Sequence, residues 1–185
     1  MDPSRHPSAE DRGAVHPDEE LLLAVLNSAP VVDGGREDHL DGASGRQLAR
    51  TWGGIGTAAE LERLRRARDA IQAVVRADAG AGGIADPDPV AALADVVDGV
   101  VRTPRVTAAG VTWELRAPRD ERLAVEVVLA WSDVTARLPG RLRPCANDEC
   151  RLFLLDRSRP GTARWCSMAT CGNRMKARAH AQRTR

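Results

Sequence analysis

Residues 143–174 read RPCANDECRLFLLDRSRPGTARWCSMATCGNR and hold all four cysteines of the chain, Cys145, Cys150, Cys166 and Cys171. Four residues lie inside each pair and fifteen separate Cys150 from Cys166. Two pairs at these spacings place four thiolates around one tetrahedral Zn²⁺, each pair coming from a turn or a helix start. A short hairpin is expected within Arg151–Trp165, with Leu152, Phe153, Leu154 and Leu155 as a small apolar core. A module of this size rarely folds without a staple, so zinc binding would supply folding energy, not catalysis. Burial of four reduced thiols without metal is the weaker alternative. A thioredoxin-like redox pair needs two intervening residues instead of four. A catalytic zinc keeps a position open for water and favours His or carboxylate ligands, whereas four cysteines close the site.

Charge sets this stretch apart from what precedes it. Residues 1–140 carry 16 Lys+Arg against 23 Asp+Glu, a balance of −7. Residues 141–185 carry 11 against 3, a balance of +8. A zinc tetrathiolate is formally −2, which leaves the module near +6. Such concentrated positive charge points to a polyanionic partner, nucleic acid, with DNA and RNA both left open by the charge. The last helix is expected to start near Cys171, with Arg174, Arg178 and Arg185 on one face. Asn173, Arg174, Lys176, Arg178, Arg183 and Arg185 are the candidate nucleic-acid contacts. Asn173 suits an adenine edge, a helix start or a bond to the knuckle equally well. Gly172 is expected to allow a tight turn beside the metal, and Arg164 is the first candidate donor to the cysteine sulfurs. Phe153 and Trp165 offer stacking surfaces but fit a small core better.

The residues before the boundary at Pro139-Gly140 read as mainly α with a small β-hairpin. The whole chain is thus α+β, ending in a small treble-clef- or knuckle-like zinc module. Residues 1–17 are polar and proline-punctuated and are expected to form a disordered tail. Residues 18–138 are expected to fold as a helical domain without the finger at 141–183. Pro17-Asp18-Glu19-Glu20 suits a helix start, and Leu21–Leu26 follow. Residues 31–56 read as a long irregular connection, with Gly53–Gly56 a flexible linker. Thr57 and Glu60 have capping-box spacing, ahead of a helical stripe of Leu61, Leu64, Ile71, Val74 and Val75. Gly80–Gly83 ends that helix, and another follows over Val90–Val100. Arg105–Thr107 and Val111–Leu115 read as a hairpin with a three-residue turn. A helix from about Arg119 to Arg137 carries the stripe Leu123, Val127, Trp131, Val134 and Leu138. The acids Asp33, Glu37, Asp38 and Asp41 around His39 read as a solvated loop, with a second metal site the lesser alternative. The sequence carries no long apolar run, Ser/His/Asp set or cofactor motif, so it reads as a cytoplasmic, non-enzymatic protein.

The residues Arg143–Asn147, Cys150, Phe153–Asp156, Ser158-Arg159, Arg164–Met168 and Cys171-Gly172-Asn173-Arg174 resemble the CGNR zinc finger, named for its last four residues. In that family the finger usually follows an ABATE domain, proposed to sense a ligand in bacterial stress-related transcription regulators. The helices and hairpin of residues 18–138 are similar to that arrangement. The resemblance implies one structural Zn²⁺, a DNA-binding finger and a small-molecule signal of unknown identity. It leaves Asn27, in Leu26-Asn27-Ser28, as a ligand-binding candidate. A lone finger binds weakly, so a homodimer on two half-sites is expected. The alternative is an RNA- or protein-binding module with a purely structural zinc.

Overall fold

The computed structural model describes residues 17–32, 34–80 and 88–183. The tail before Pro17, Asp33, most of the Gly80–Gly83 stop and Arg185 lie outside those residues. Helix α1 spans Pro17–Leu26 and opens with Asp18, Glu19 and Glu20 in its first turn, where carboxylates meet the positive end of the helix dipole. Helix α3, Ala58–Asp78, starts at Thr57, whose side chain accepts from the Glu60 amide at 3.3 Å. Helix α4, Pro89–Val97, has proline in its first turn and Asp88 accepting from Val90 N at 2.9 Å. Helix α5 covers Arg122–Arg137. Leu21, Leu22, Val25 and Leu26 of α1 meet Leu61, Leu64, Ile71 and Val75 of α3, Leu93 of α4 and Leu123, Val127 and Val134 of α5 in one core. Trp131 and Val74 pack against its edge.

The stretch 31–56 is more ordered than its composition suggests. Val31–Val32 (β1) pairs antiparallel with Gly35–Arg36 (β2), and Gly42–Thr51 forms helix α2. This helix buries only Gly45 and Ala49, so it lacks the apolar stripe that announces a packed helix. A Cβ on Gly45 would lie 2.3 Å from the Leu40 carbonyl oxygen, so glycine lets α2 start directly against that backbone. The Gly53–Gly56 turn is likewise packed, because Gly56 N donates to Glu60 Oε2 at 2.5 Å and Gly54 N to Ala49 O at 2.8 Å. Glu60 thus reaches one residue further back than a standard capping box, in which it would bond the Thr57 amide.

The hairpin is longer and tighter than expected. Val101–Thr107 (β3) pairs with Gly110–Arg116 (β4) from Val101↔Arg116 to Thr107↔Gly110, leaving two turn residues instead of three. Gly110 closes the ladder at φ 123 and is a strand residue, not part of the turn. Both strands are largely exposed, with Val106 at 86% and Trp113 at 62%. Among the described residues, no helix is long and apolar enough to cross a membrane.

After Gly140, Leu142–Pro144 (β5) and Phe153–Leu155 (β6) pair in register Leu142↔Leu155 to Pro144↔Phe153. This hairpin encloses the first cysteine pair, rather than lying between the two pairs. Phe153 is 2% exposed and belongs to the helical core, with Leu142 and Leu155 packed beside it. The finger is therefore built onto the helices, not strung after them.

Candidate metal centre

The loop joining β5 to β6 is closed by Cys145 N donating to Leu152 O and Cys150 N to Asn147 O, each at 2.8 Å. Ala146 N donates to Arg164 O at 2.8 Å and draws in the segment bearing the second pair. Ser167 accepts from Thr170 N and starts a π-helical turn, Met168–Gly172, that presents Cys171. Helix α6, Asn173–Arg183, follows without a break. Asp156 braces the connecting loop: it is buried and accepts from Ser158 N at 2.9 Å, Ser158 Oγ at 2.6 Å and Ala163 N at 3.0 Å. Burial alone would raise its pKa. Those bonds and the charge of Arg141 outweigh burial and hold the carboxyl below its ordinary range.

These segments bring the four Sγ atoms within 4.8 Å of one another. Cys166 Sγ lies 3.7 Å from both Cys150 Sγ and Cys171 Sγ. A tetrahedron of ~2.3 Å Zn–S bonds has edges of about 3.8 Å, whereas a disulfide would need about 2.05 Å. The set therefore fits one structural zinc, held by Cys145, Cys150, Cys166 and Cys171. Without a cation, burial disfavours the thiolate at two of the four positions. Burial pushes the Cys150 thiol up to about 11 and raises Cys166 as well. Burial also acts on Cys171, but hydrogen bonds, first that from Asn147, hold it below its ordinary value.

Hydrogen-bond donors face the sulfurs. Asn147 Nδ2, on a wholly buried side chain, points at Cys171 Sγ from 3.6 Å, and Cys166 N at Cys145 Sγ from 3.5 Å. Such partners offset thiolate charge and fix ligand orientation. Arg164 does not take this role, since its guanidinium stacks over the Trp165 ring at 5.0 Å. Gly172 keeps a negative φ. A Cβ there would meet Met168 Sδ at 2.8 Å and Trp165 Cδ1 at 3.2 Å, so glycine serves close packing instead of a tight turn.

The other candidates separate into two groups. Arg174, Lys176, Arg178 and Arg183 lie on α6, which buries none of its residues. Arg178 is held by Glu149 at 2.6 Å, and Asn173 Nδ2 donates to Ala169 O at 3.3 Å. Asn27 instead clasps the finger: its Nδ2 donates to Phe153 O at 3.2 Å, and Phe153 N donates to its Oδ1 at 2.7 Å. Glu19 of α1, also buried, pairs with Arg137 of α5 and with Arg157 of the finger. Among the acids near His39, Asp38 pairs with Arg68 and Asp41 with Arg65, and the cysteine set is the one metal-capable group found among the described residues.

Asn27→Ala is expected to destabilise the zinc-loaded protein by about 1–3 kcal/mol, because it strands the amide and carbonyl of Phe153 at a buried seam. A urea midpoint equal to the parent's would show that these groups are satisfied otherwise.

The fold and the four-sulfur site together define a zinc-binding module on an α+β frame. The family model described as CGNR zinc finger matches residues 141–184. No curated protein matches the chain.

Proposed function

We propose that the chain is a bacterial transcription regulator whose finger binds DNA through α6, with the helical layer as an ABATE-like sensing part and the zinc purely structural. The observation that carries this reading is α6 itself. It follows the ligand Cys171 directly, buries no residue, and displays Arg174, Lys176, Arg178 and Arg183. A packed helix normally buries one face. One that is polar all round and anchored at its first turn by a metal knuckle is free to enter a groove. Its arginines suit phosphates and guanine edges. Dimerisation on paired half-sites would add the affinity a single finger lacks.

The test is titration of zinc-loaded protein with random-sequence duplex DNA and RNA at several salt concentrations. Arg174→Ala should lower the logarithmic salt slope by about one ion without altering the fold. An unchanged slope removes α6 from the phosphate contacts. Equal binding to both nucleic acids, with no selected DNA sequence, would overturn the regulator in favour of an RNA- or protein-binding module.

The Arg178–Glu149 pair adds a signed prediction. Both side chains are about half exposed, so the pair contributes under about 1 kcal/mol. Glu149→Gln removes a competing anion and should tighten DNA binding by roughly two- to fivefold at low salt, the equivalent of that energy. Weaker binding would mean that Arg178 needs Glu149 to hold its orientation.

A further inference from the structure

Glu60 has more to do than cap α3. It is fully buried, yet only one of its carboxylate oxygens is used: Oε2 accepts from Gly56 N at 2.5 Å, while Oε1 has no hydrogen-bond partner. Among the described residues, the other buried side-chain atoms without a hydrogen bond are Glu19 Oε2 and Arg157 Nη2, and those two form an ion pair with each other. Glu60 Oε1 is therefore the exception, and no ion pair among the described residues includes it. A buried carboxyl oxygen with no hydrogen-bond partner is costly, and a fixed fold keeps one most readily where a ligand can supply the missing bond.

Glu60 lies in the wall of a cavity of about 400 Å³ between the α2–α3 turn and the start of α5. Trp52, Ile55 and Leu123 supply apolar lining, and Arg119 and Arg122 lie on the α5 side. Arg122 is engaged by Glu126 at 2.9 Å. Gly54 is the remaining part of the arrangement: a Cβ there would lie 2.6 Å from Glu60 Oε1 and 2.9 Å from Ala49 O. Any side chain at 54 would press on the unpartnered oxygen. The lining is more polar than apolar, and Glu126 offsets Arg122, so an indole beside the half-used Glu60 carboxyl matches an organic ammonium with a short hydrocarbon body.

We infer that this cavity binds a small molecule carrying a primary ammonium group, with Glu60 as the anionic anchor and Trp52 against the hydrocarbon. The inference is independent of whether α6 binds DNA. The ammonium donates to Oε1, which has no other partner, while Oε2 keeps its bond to Gly56. Two sources share this chemistry, a simple amine and an amino acid whose carboxylate would turn toward Arg119.

The experiment uses full-length, zinc-loaded, ¹⁵N-labelled protein and three probes of matched chain: n-butylammonium chloride, norvaline and sodium pentanoate. Both ammonium probes should shift the Gly54 and Gly56 amide resonances saturably at millimolar concentration, with nuclear Overhauser contacts from the butyl protons to the Trp52 indole. Pentanoate should not. Norvaline binding several-fold tighter than butylammonium would assign the amino-acid source, and equal or weaker binding the simple amine. Glu60→Gln, which keeps an acceptor for Gly56, should weaken binding by at least about tenfold. Gly54→Ala should block it. Should either variant fail to fold, the contacts to Trp52 in the unmodified protein still decide. Absence of saturable shifts with both amines, equal shifts with pentanoate, or undiminished binding by a folded Glu60→Gln protein would overturn the assignment.

Discussion

Cys171→Ser is expected to abolish stoichiometric zinc binding, unfold residues 141–183 and loosen the helical core to which they are joined. The finger has little else to hold it. Helix α6 buries nothing, and the sheet has three residues in each strand. Structural zinc contributes on the order of 10 kcal/mol to fingers of this kind, and three sulfurs do not replace four. The damage should spread beyond the finger because Phe153 belongs to the helical core, with Arg76 of α3 over its ring at 4.7 Å. Removing that side chain from the core would resemble a Phe→Ala truncation, about 3–5 kcal/mol. A helical layer that stays fully folded without the finger, the expectation from sequence, is therefore replaced by one that melts at a clearly lower temperature. Metal analysis and thermal unfolding with and without chelator measure both effects. Acid should act in the same direction as the mutation, since the thiols must lose protons to bind zinc and low pH opposes that. One zinc per chain in Cys171→Ser, with the parent's melting temperature, would show that the four sulfurs do not form one site.

That coupling marks where sequence reasoning ends. The ligand set was legible because cysteine spacing is a local property, and the stripes of α3 and α5 because burial recurs at helical period. Leu61, Leu64, Ile71 and Val75 are buried, as are Leu123, Val127 and Val134. Periodicity does not say which body a residue packs on. Its neighbours in sequence place Phe153 in the core of its own module, and it is instead shared with the helices. Helix α2 left no stripe because the two residues it buries are small, Gly45 against the Leu40 backbone and Ala49. Asn147, the side-chain donor to sulfur, carries no sign of that role in sequence, whereas arginine is the more obvious guess. On α3, Arg63, Arg65, Arg66 and Arg68 look alike, and only three-dimensional packing distinguishes the last.

Arg68 is the basis of the other large effect. Its side chain is 1% exposed, and its guanidinium holds Asp38 through two bonds of 2.6 and 2.8 Å, Ser28 Oγ at 3.1 Å and Asp69 at 2.9 Å. Asp38 in turn accepts from Leu40 N at 3.0 Å, so the pair pins the segment after β2 onto α3. Asp38→Ala should cost about 3–5 kcal/mol, because it leaves a buried guanidinium with only the exposed Asp69 as counter-charge. Arg68→Met in the Asp38→Ala background should recover part of that loss, since it removes the orphaned charge and keeps an apolar side chain of similar length. The pair also has a pH signature. Burial alone would raise the Asp38 carboxyl, but the hydrogen bonds and charge of Arg68 outweigh it and hold the folded value below the ordinary one. A carboxyl lowered in the folded state contributes stability that is fully present above its unfolded value, about 4, and is lost as pH falls through the folded value. The parent should therefore lose stability below about pH 4 more steeply than Asp38→Ala, and the two curves should converge in acid. Urea unfolding of both proteins between neutral pH and acid reads this directly. Parallel curves would mean that Asp38 titrates alike in the folded and unfolded chain, and the bidentate pair would then contribute nothing that depends on its charge.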